Sequence, residues 1–440
     1  TVSVLYWGNE MPKSKKPQHQ QPQTSGSKAP QAPEQQQKKK AHRAEGGVSA
    51  AATAASASPA AAESVAPRPV LNAILYLGTY HNVAAAYQLR KYALAPRFTS
   101  RSHVGSIVSV AACSRFLVAS GSDESITIQA VKNGGATFID LGKVTPPAQA
   151  NSIAFPDPRF LVCAMEDGSV IIYKTREWTC AAVIAAHDRA ATSVACHPKG
   201  TIAVTVGNDY LICVIDLTRA AVVTRRKLDK SLGTPVSVTF TPDGECFLVQ
   251  TRYHVAVYDI HTAQEVARAG FERDPPNEIQ TVAVAGAAGL VRMSAQPSAS
   301  AFTAIVGIEA GSLHCFTFDP VAASAASAAA GDDATSPAKL VRPQFTPVAT
   351  LVRDDVPALP VAATMESETG EAVQLRPRIR AAKVRDGTLF TANSAGVVQV
   401  FDLTKGDMPL SLCAKERARV STGGRVTALD VLDRTAVPQA

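Results

Sequence analysis

The chain lacks the marks of an enzyme, a membrane protein or a disulfide-framed domain. It has no GxSxG, HExxH or GxxxxGK[ST] motif and no CxxC pair. There is therefore no sign of an elbow-held serine, a zinc-bound water or a phosphate-cradling loop. Eight cysteines, at 113, 163, 180, 196, 213, 246, 315 and 413, are scattered and fall mostly in apolar stretches. They read as reduced core residues of a cytosolic or nuclear protein. No uninterrupted apolar run of about 18 residues occurs, so no membrane-spanning helix is expected. No apolar core follows a charged start near Met11, so no signal peptide is read. Residue 1 is threonine, and residues 1–10 are taken to precede the start. No catalytic residue, cofactor, metal, membrane contact or small-molecule substrate is expected.

Apolar residues are also scarce from Met11 to about Arg43, a stretch of Lys, Gln, Pro and Ser. It cannot bury enough surface to offset the entropy of ordering and is expected to be a disordered tail. Its Lys13, Lys15, Lys16, Lys28, Lys38, Lys39, Lys40 and Arg43 against Glu34 give +7, equal to the net charge of the whole chain. Residues 48–66 form an Ala, Ser and Pro linker broken by Pro59 and Pro67. The expected division is a tail and linker over 1–70, one domain over 71–435 and a short end at 436–440.

What is present is a repeat. Between His103 and Leu217 a pattern of apolar alternation, small acidic turn and second alternation occurs three times: RFLVASG with SITIQAV, RFLVCAM with SVIIYKT, and TIAVTVG with LICVIDL. Period-two alternation marks half-buried strands, and each pair reads as a hairpin. The turns are GSDES at 121–125, MEDGS at 165–169 and GNDYL at 207–211. Their Asp123, Asp167 and Asp209 stand 44 and 42 positions apart, the period of a four-stranded propeller blade. His103 and His187 precede two of the repeats, where WD-repeat blades tie the inter-blade loop to the acidic turn. A structural turn network of His103, Asp123, Asp167, His187 and Asp209 follows. The tryptophan that such blades carry on the third strand is missing, with Gln129, Tyr173 and Ile215 in its place. A generic tryptophan-aspartate search is expected to miss the chain.

The same ruler places a first blade at ILYLGTY and VAAAYQL, and a fifth at 236–260 with Arg252 in the acidic turn position. A sixth follows an insertion at about 286–300, and a seventh, at TLFTANS and VVQVFDL, follows one at about 320–345. The first blade lacks its first strand, and RVTALDVL at 425–432 is surplus. The surplus strand is expected to fill the vacancy, giving an all-β, seven-bladed WD40-type propeller without an open edge.

The run from FLVCAMEDGSVIIYKTREW through AAH to HPKGTIAVTVGNDYLICVIDL resembles the nucleolar WD-repeat family of the p21-activated protein kinase-interacting protein and the yeast maintenance-of-killer propeller. SHVGSIVSVAACSRFLVASGSDESITI and GRVTALDVLD resemble it too. Lys174 and Ala130 depart from the family's aspartate after the aromatic. The resemblance implies a non-enzymatic assembly factor for the large ribosomal subunit, acting in the nucleolus. Its partners would be pre-60S ribosomal proteins, assembly factors and rRNA. The alternatives are an inhibitory binder of a p21-activated-type kinase, through the kinase's regulatory segment, and a generic scaffold.

Within the repeats, Trp178 reads as packing on an outer strand, His187 as a network residue and His197 as a turn residue. Two basic clusters, Arg225, Arg226, Lys227 and Lys230 after the fourth blade's third strand, and Arg376, Arg378, Arg380, Lys383 and Arg385 around the seventh blade's first, read either as solvated edges or as phosphate contacts. Alternation in RPRIR puts Arg376, Arg378 and Arg380 on one strand face. With the tail lysines Lys13, Lys15, Lys16, Lys38, Lys39 and Lys40, they are the candidate contacts to RNA or partners.

Overall fold

The computed structural model describes residues 72–91, 93–272, 277–286, 300–323, 340–351, 364–366, 372–374, 377–405 and 412–433. The expected tail and linker, with their six candidate lysines, lie outside these residues, as do Arg376 and the end at 436–440. The chain divides after Ala66, and the propeller lies in the unit Pro67–Ala440.

Among the described residues the strands form seven blades, antiparallel but for one edge strand, whose innermost strands ring a common axis, and Thr364–Glu366 pairs separately with Ala372–Gln374. Blade two runs outward through Ile107–Ala112, Phe116–Gly121, Ile126–Lys132 and Thr137–Val144. Blade three is Ala150–Asp157, Phe160–Met165, Ser169–Lys174 and Thr179–Ala185, and blade four is Ala191–Cys196, Ile202–Gly207, Leu211–Asp216 and Ala221–Lys227. Blade five is Pro235–Phe240, Cys246–Thr251, His254–Asp259 and Glu265–Gly270.

Blade one closes the ring as the strand count predicts. Val426–Asp433 is its innermost strand and pairs with Ala73–Thr79 from Ala73↔Asp433 to Thr79↔Val426, followed outward by Ala84–Arg90 and Ala93–Ser100. Leu75 and Leu77 pack with Phe390 and Val398 of blade seven, whereas Ile74 and Tyr76 pack with Ile107 and Leu117 of blade two. Successive side chains thus face opposite neighbouring blades.

This sandwiching corrects the half-buried reading of the hairpins. Every residue of Phe116–Gly121 is buried, whereas the outer strand Thr179–Ala185 is largely exposed. The middle strands are covered on both faces, whereas the outermost are largely exposed and the innermost partly so.

Both insertions interrupt blade six rather than one delaying blade seven. Its strands are Ile279–Gly286, Phe302–Ile308, Leu313–Phe318 and Thr346–Pro347, so the second insertion falls between its third and fourth strands. The chain then crosses to blade seven, where Ala349–Leu351 adds a parallel edge strand beside Leu412–Ser421. Outside-in, Leu412–Ser421 is followed by Val397–Lys405, Thr388–Asn393 and the innermost Ile379–Arg385. That fifth strand has no counterpart in the sequence reading.

Candidate partner-binding surface

The loops leading into each blade and the turns between second and third strands share one end of the propeller, because first and second strands run antiparallel. The repeated polar residues meet there. In blade four, His187 Nδ1 lies 3.0 Å from Asp209 Oδ1 and Nε2 lies 3.0 Å from Thr205 Oγ1, with the imidazole wholly buried. A neutral ring with Nδ1–H donating to Asp209 and Nε2 accepting from Thr205 satisfies both nitrogens. Burial holds His187 below the ordinary histidine value, outweighing the upward pull of Asp209. Asp209 also accepts the Asp188 N–H at 3.1 Å, fixing the loop between blades.

Blade two repeats this arrangement with one exchange. His103 Nδ1 lies 3.0 Å from Asp123 Oδ1, but Nε2 meets Thr127 Oγ1, on the third strand, at 3.0 Å. Thr127 faces Ala119, and in blade four Cys213 faces Thr205. The hydroxyl has therefore moved to the opposite member of the same cross-strand pair. Asp123 is pushed up by burial, yet the Val104 N–H, His103 and Ser125 together hold its carboxyl down at about 2.

Asp167 does not join such a network. It accepts the N–H and hydroxyl of Ser169 at 2.9 and 2.7 Å, within its own turn. Blade three secures this end through Asn151, whose amide donates to Glu166 Oε2 at 2.6 Å and to Ala191 O at 3.1 Å. Gln129, one of the tryptophan substitutes, instead accepts the buried Tyr76 hydroxyl of blade one at 2.9 Å.

In blades five to seven the ties become ion pairs. Arg252 in the turn of blade five pairs with Glu278 ahead of blade six, and Glu309 in the turn of blade six pairs with Arg378 ahead of blade seven at 2.7 Å. The bond to Arg252 holds Glu278 below the usual carboxylate range.

Trp178 sits in the turn before the outer strand, not on it, with φ 53°, and packs edge-on against Phe116 of blade two at 5.1 Å. His197 is a turn residue as read, its Nδ1 accepting the Lys199 N–H at 3.0 Å. Cys113, Cys163, Cys213, Cys246 and Cys315 are buried and reduced, whereas Cys180 is exposed. Burial pushes the Cys113 thiol up to about 11.

The two basic clusters differ in kind. Arg225, Arg226 and Lys227 do not merely follow the third strand of blade four but form its outermost strand, exposed throughout, with Lys230 over the Tyr210 ring at 5.7 Å. Arg225 donates to Ala185 O of blade three at 2.9 Å. At the other cluster the single arginine face fails. Arg378 precedes its strand, and Arg380 occupies a bulge between Ile379 and Ala381 on the innermost strand. Arg376 lies outside the described residues.

The sequence reading missed a ring of hydroxyl acceptors on the inner strands. Ser109 accepts Ile153 N–H, Ser152 accepts Val194 N–H and Ser193 accepts Val238 N–H, each at 3.2 Å, while Thr281 accepts Ala382 N–H at 3.1 Å. Asp430 accepts Ala112 N–H at 2.8 Å across the closure. Each bond joins one blade to the next and satisfies an inner-strand N–H. The signal was the recurrence of Ser109, Ser152 and Ser193 at 43 and 41 positions.

The fold and its loop network define a WD-repeat β-propeller, an architecture that presents protein-binding surfaces. The family described as WD40, WD domain, G-beta repeat matches residues 178–216, so the missing tryptophan does not hide the chain from comparison. The chain is 28% identical over 197 residues to "p21-activated protein kinase-interacting protein 1-like" of Gallus gallus, covering 43% of this chain and 50% of that protein. The protein of the same name in Danio rerio is 24% identical over 208 residues, covering 45% and 54%. "Protein MAK11" of Saccharomyces cerevisiae is 27% identical over 202 residues, covering 42% and 48%. The chain spans about half the length of the curated relatives it matches. It is thus a WD-repeat propeller related to the family whose motifs the sequence carries.

Proposed function

We propose that this propeller is a non-enzymatic assembly factor for the large ribosomal subunit, docking on pre-ribosomal particles in the nucleolus through protein contacts, with phosphate contacts to rRNA as support. The observation that carries this reading is the relationship to both vertebrate and yeast members of the family. The exposed Arg226, Lys227 and Lys230 on the outer edge of blade four suit the phosphate contacts, because backbone recognition needs positive charge and little fixed geometry. The tail lysines add further positive charge.

Depleting the protein should lower the large subunit selectively, and equal loss of both subunits would overturn the proposal. Replacing Lys13, Lys15, Lys16, Lys38, Lys39 and Lys40 by glutamine should flatten the salt dependence of RNA binding and leave protein pull-down intact. An unchanged salt slope would reduce the tail to a spacer. The second reading, binding to a kinase regulatory segment, draws on the name of the vertebrate relatives. Selective retention by an isolated kinase regulatory segment, without co-purification of ribosomal proteins, would favour it.

A further inference from the structure

The innermost strand bulges at the same position in each of the seven blades, and in three of them the bulged residue seals the joint to the next blade. Asn151 donates to Ala191 O at 3.1 Å, Thr192 to Pro235 O at 3.1 Å and Thr427 to Ile107 O at 2.7 Å. Arg380 holds this position in blade seven but does not seal the joint ahead. Its Nη1 turns back to Gln280 Oε1 of blade six at 3.0 Å, and its buried Nε–H has no partner among the described residues. A half-buried guanidinium with an unsatisfied N–H is a cost that packing alone does not explain.

The surroundings concentrate positive charge at this point. Burial, then the neighbouring Arg425 and Arg378, lowers the proton affinity of Arg380. Glu309 occupies Arg378, whereas Arg425 lies over the Tyr80 ring at 5.5 Å with no carboxylate against it among the described residues. Elsewhere the loop face carries both signs, with exposed Glu124, Asp167 and Asp188 beside exposed Arg101, Arg189 and Arg252. Large apolar side chains stand out on it as well, Tyr80 at 55% and Val104 at 85% exposure.

We propose that the loop face where blades six, seven and one meet receives an acidic side chain from a short, otherwise apolar segment of a partner protein, with its carboxylate held by Arg380 and Arg425. A carboxylate can take the Nε–H together with the Nη2–H on the same edge in a bidentate pair, leaving Gln280 on Nη1, while apolar neighbours lie against Tyr80 and Val104. A nucleic-acid backbone fits less well. Its successive phosphates would cross the exposed carboxylates of Glu124, Asp167 and Asp188. The inference is independent of the ribosomal reading.

The test uses the full chain and two fluorescein-labelled peptides, Leu-Leu-Glu-Leu-Leu and its glutamine counterpart, with a twelve-nucleotide uridine RNA as the third probe. The glutamate peptide should bind roughly tenfold more tightly than the glutamine peptide, the scale of one charge-assisted pair. Arg380→Gln should erase that difference and leave RNA affinity unchanged. Glu309→Gln, which releases Arg378, should tighten the glutamate peptide further. Should Arg380→Gln lower the melting temperature, the exposed Arg425→Gln carries the same comparison. Equal binding of the two peptides to the unaltered chain, or loss of RNA rather than peptide affinity in Arg380→Gln, would overturn the proposal.

Discussion

Blades two to four and blades five to seven solve the same problem with different chemistry. Each set must fasten the loop that enters a blade to a turn at the same end. Blades two and four use a buried histidine against an aspartate, with side-chain exposures of 1% and 13% in blade two and 0% and 8% in blade four. Blades five to seven use Arg252 with Glu278 and Arg378 with Glu309, in which the arginines are 63% and 49% exposed. The first device is short, dry and internal to one blade. The second bridges adjacent blades and stands in water, where screening weakens it. The regular blades are therefore fastened by buried pairs, while the later ones carry the insertions and the ion pairs open to solvent.

Deleting residues 425–440 should have the largest effect, because both sets depend on the closing strand. Val426, Leu429, Val431 and Leu432 are buried, and each contributes about 1.5–3 kcal/mol, together comparable to the 5–15 kcal/mol of a whole domain. Calorimetry should show no cooperative transition. A full-height, unshifted transition would refute closure.

His187→Ala should cost about 1–3 kcal/mol by leaving Asp209 and Thr205 without their partner. Its pH signature is specific. Folded His187 binds protons more weakly than unfolded histidine, so its contribution is complete above about pH 6.5 and is lost as pH falls toward its lower folded value. The unaltered chain should lose more melting temperature between pH 7 and 5 than His187→Ala does. Parallel pH profiles would show that the buried pair does not set this dependence.

Arg252→Ala should have the smallest effect, a slight fall in melting temperature that disappears in 0.5 M salt. A salt-insensitive loss as large as that of His187→Ala would abolish the contrast between the two halves.

Much of this was legible from residues alone. The spacing of Asp123, Asp167 and Asp209 set the blade length, and the surplus strand after blade seven foretold closure. Less could be read where one residue type serves several ends. Asp167 shares its turn with Asp123 and Asp209, yet without an entering histidine it bonds only to Ser169. The exchange of Thr205 for Thr127 preserves a contact in space by crossing a strand pair, which a position-by-position comparison does not see. Arg380 was misplaced because a bulge shifts the register by one residue, and one residue reverses every side chain's face. The alternation in RPRIR was real, but it does not run through an unbroken strand.

Sedimenting an extract that contains the epitope-tagged chain, and assaying each gradient fraction for the tag and for precursor rRNA, tests whether the propeller docks on pre-ribosomal particles. The account predicts that the chain peaks with large-subunit precursors and leaves them when those particles are dissociated. A chain that remains at the top of the gradient, apart from ribosomal precursors at low and moderate salt, would contradict it.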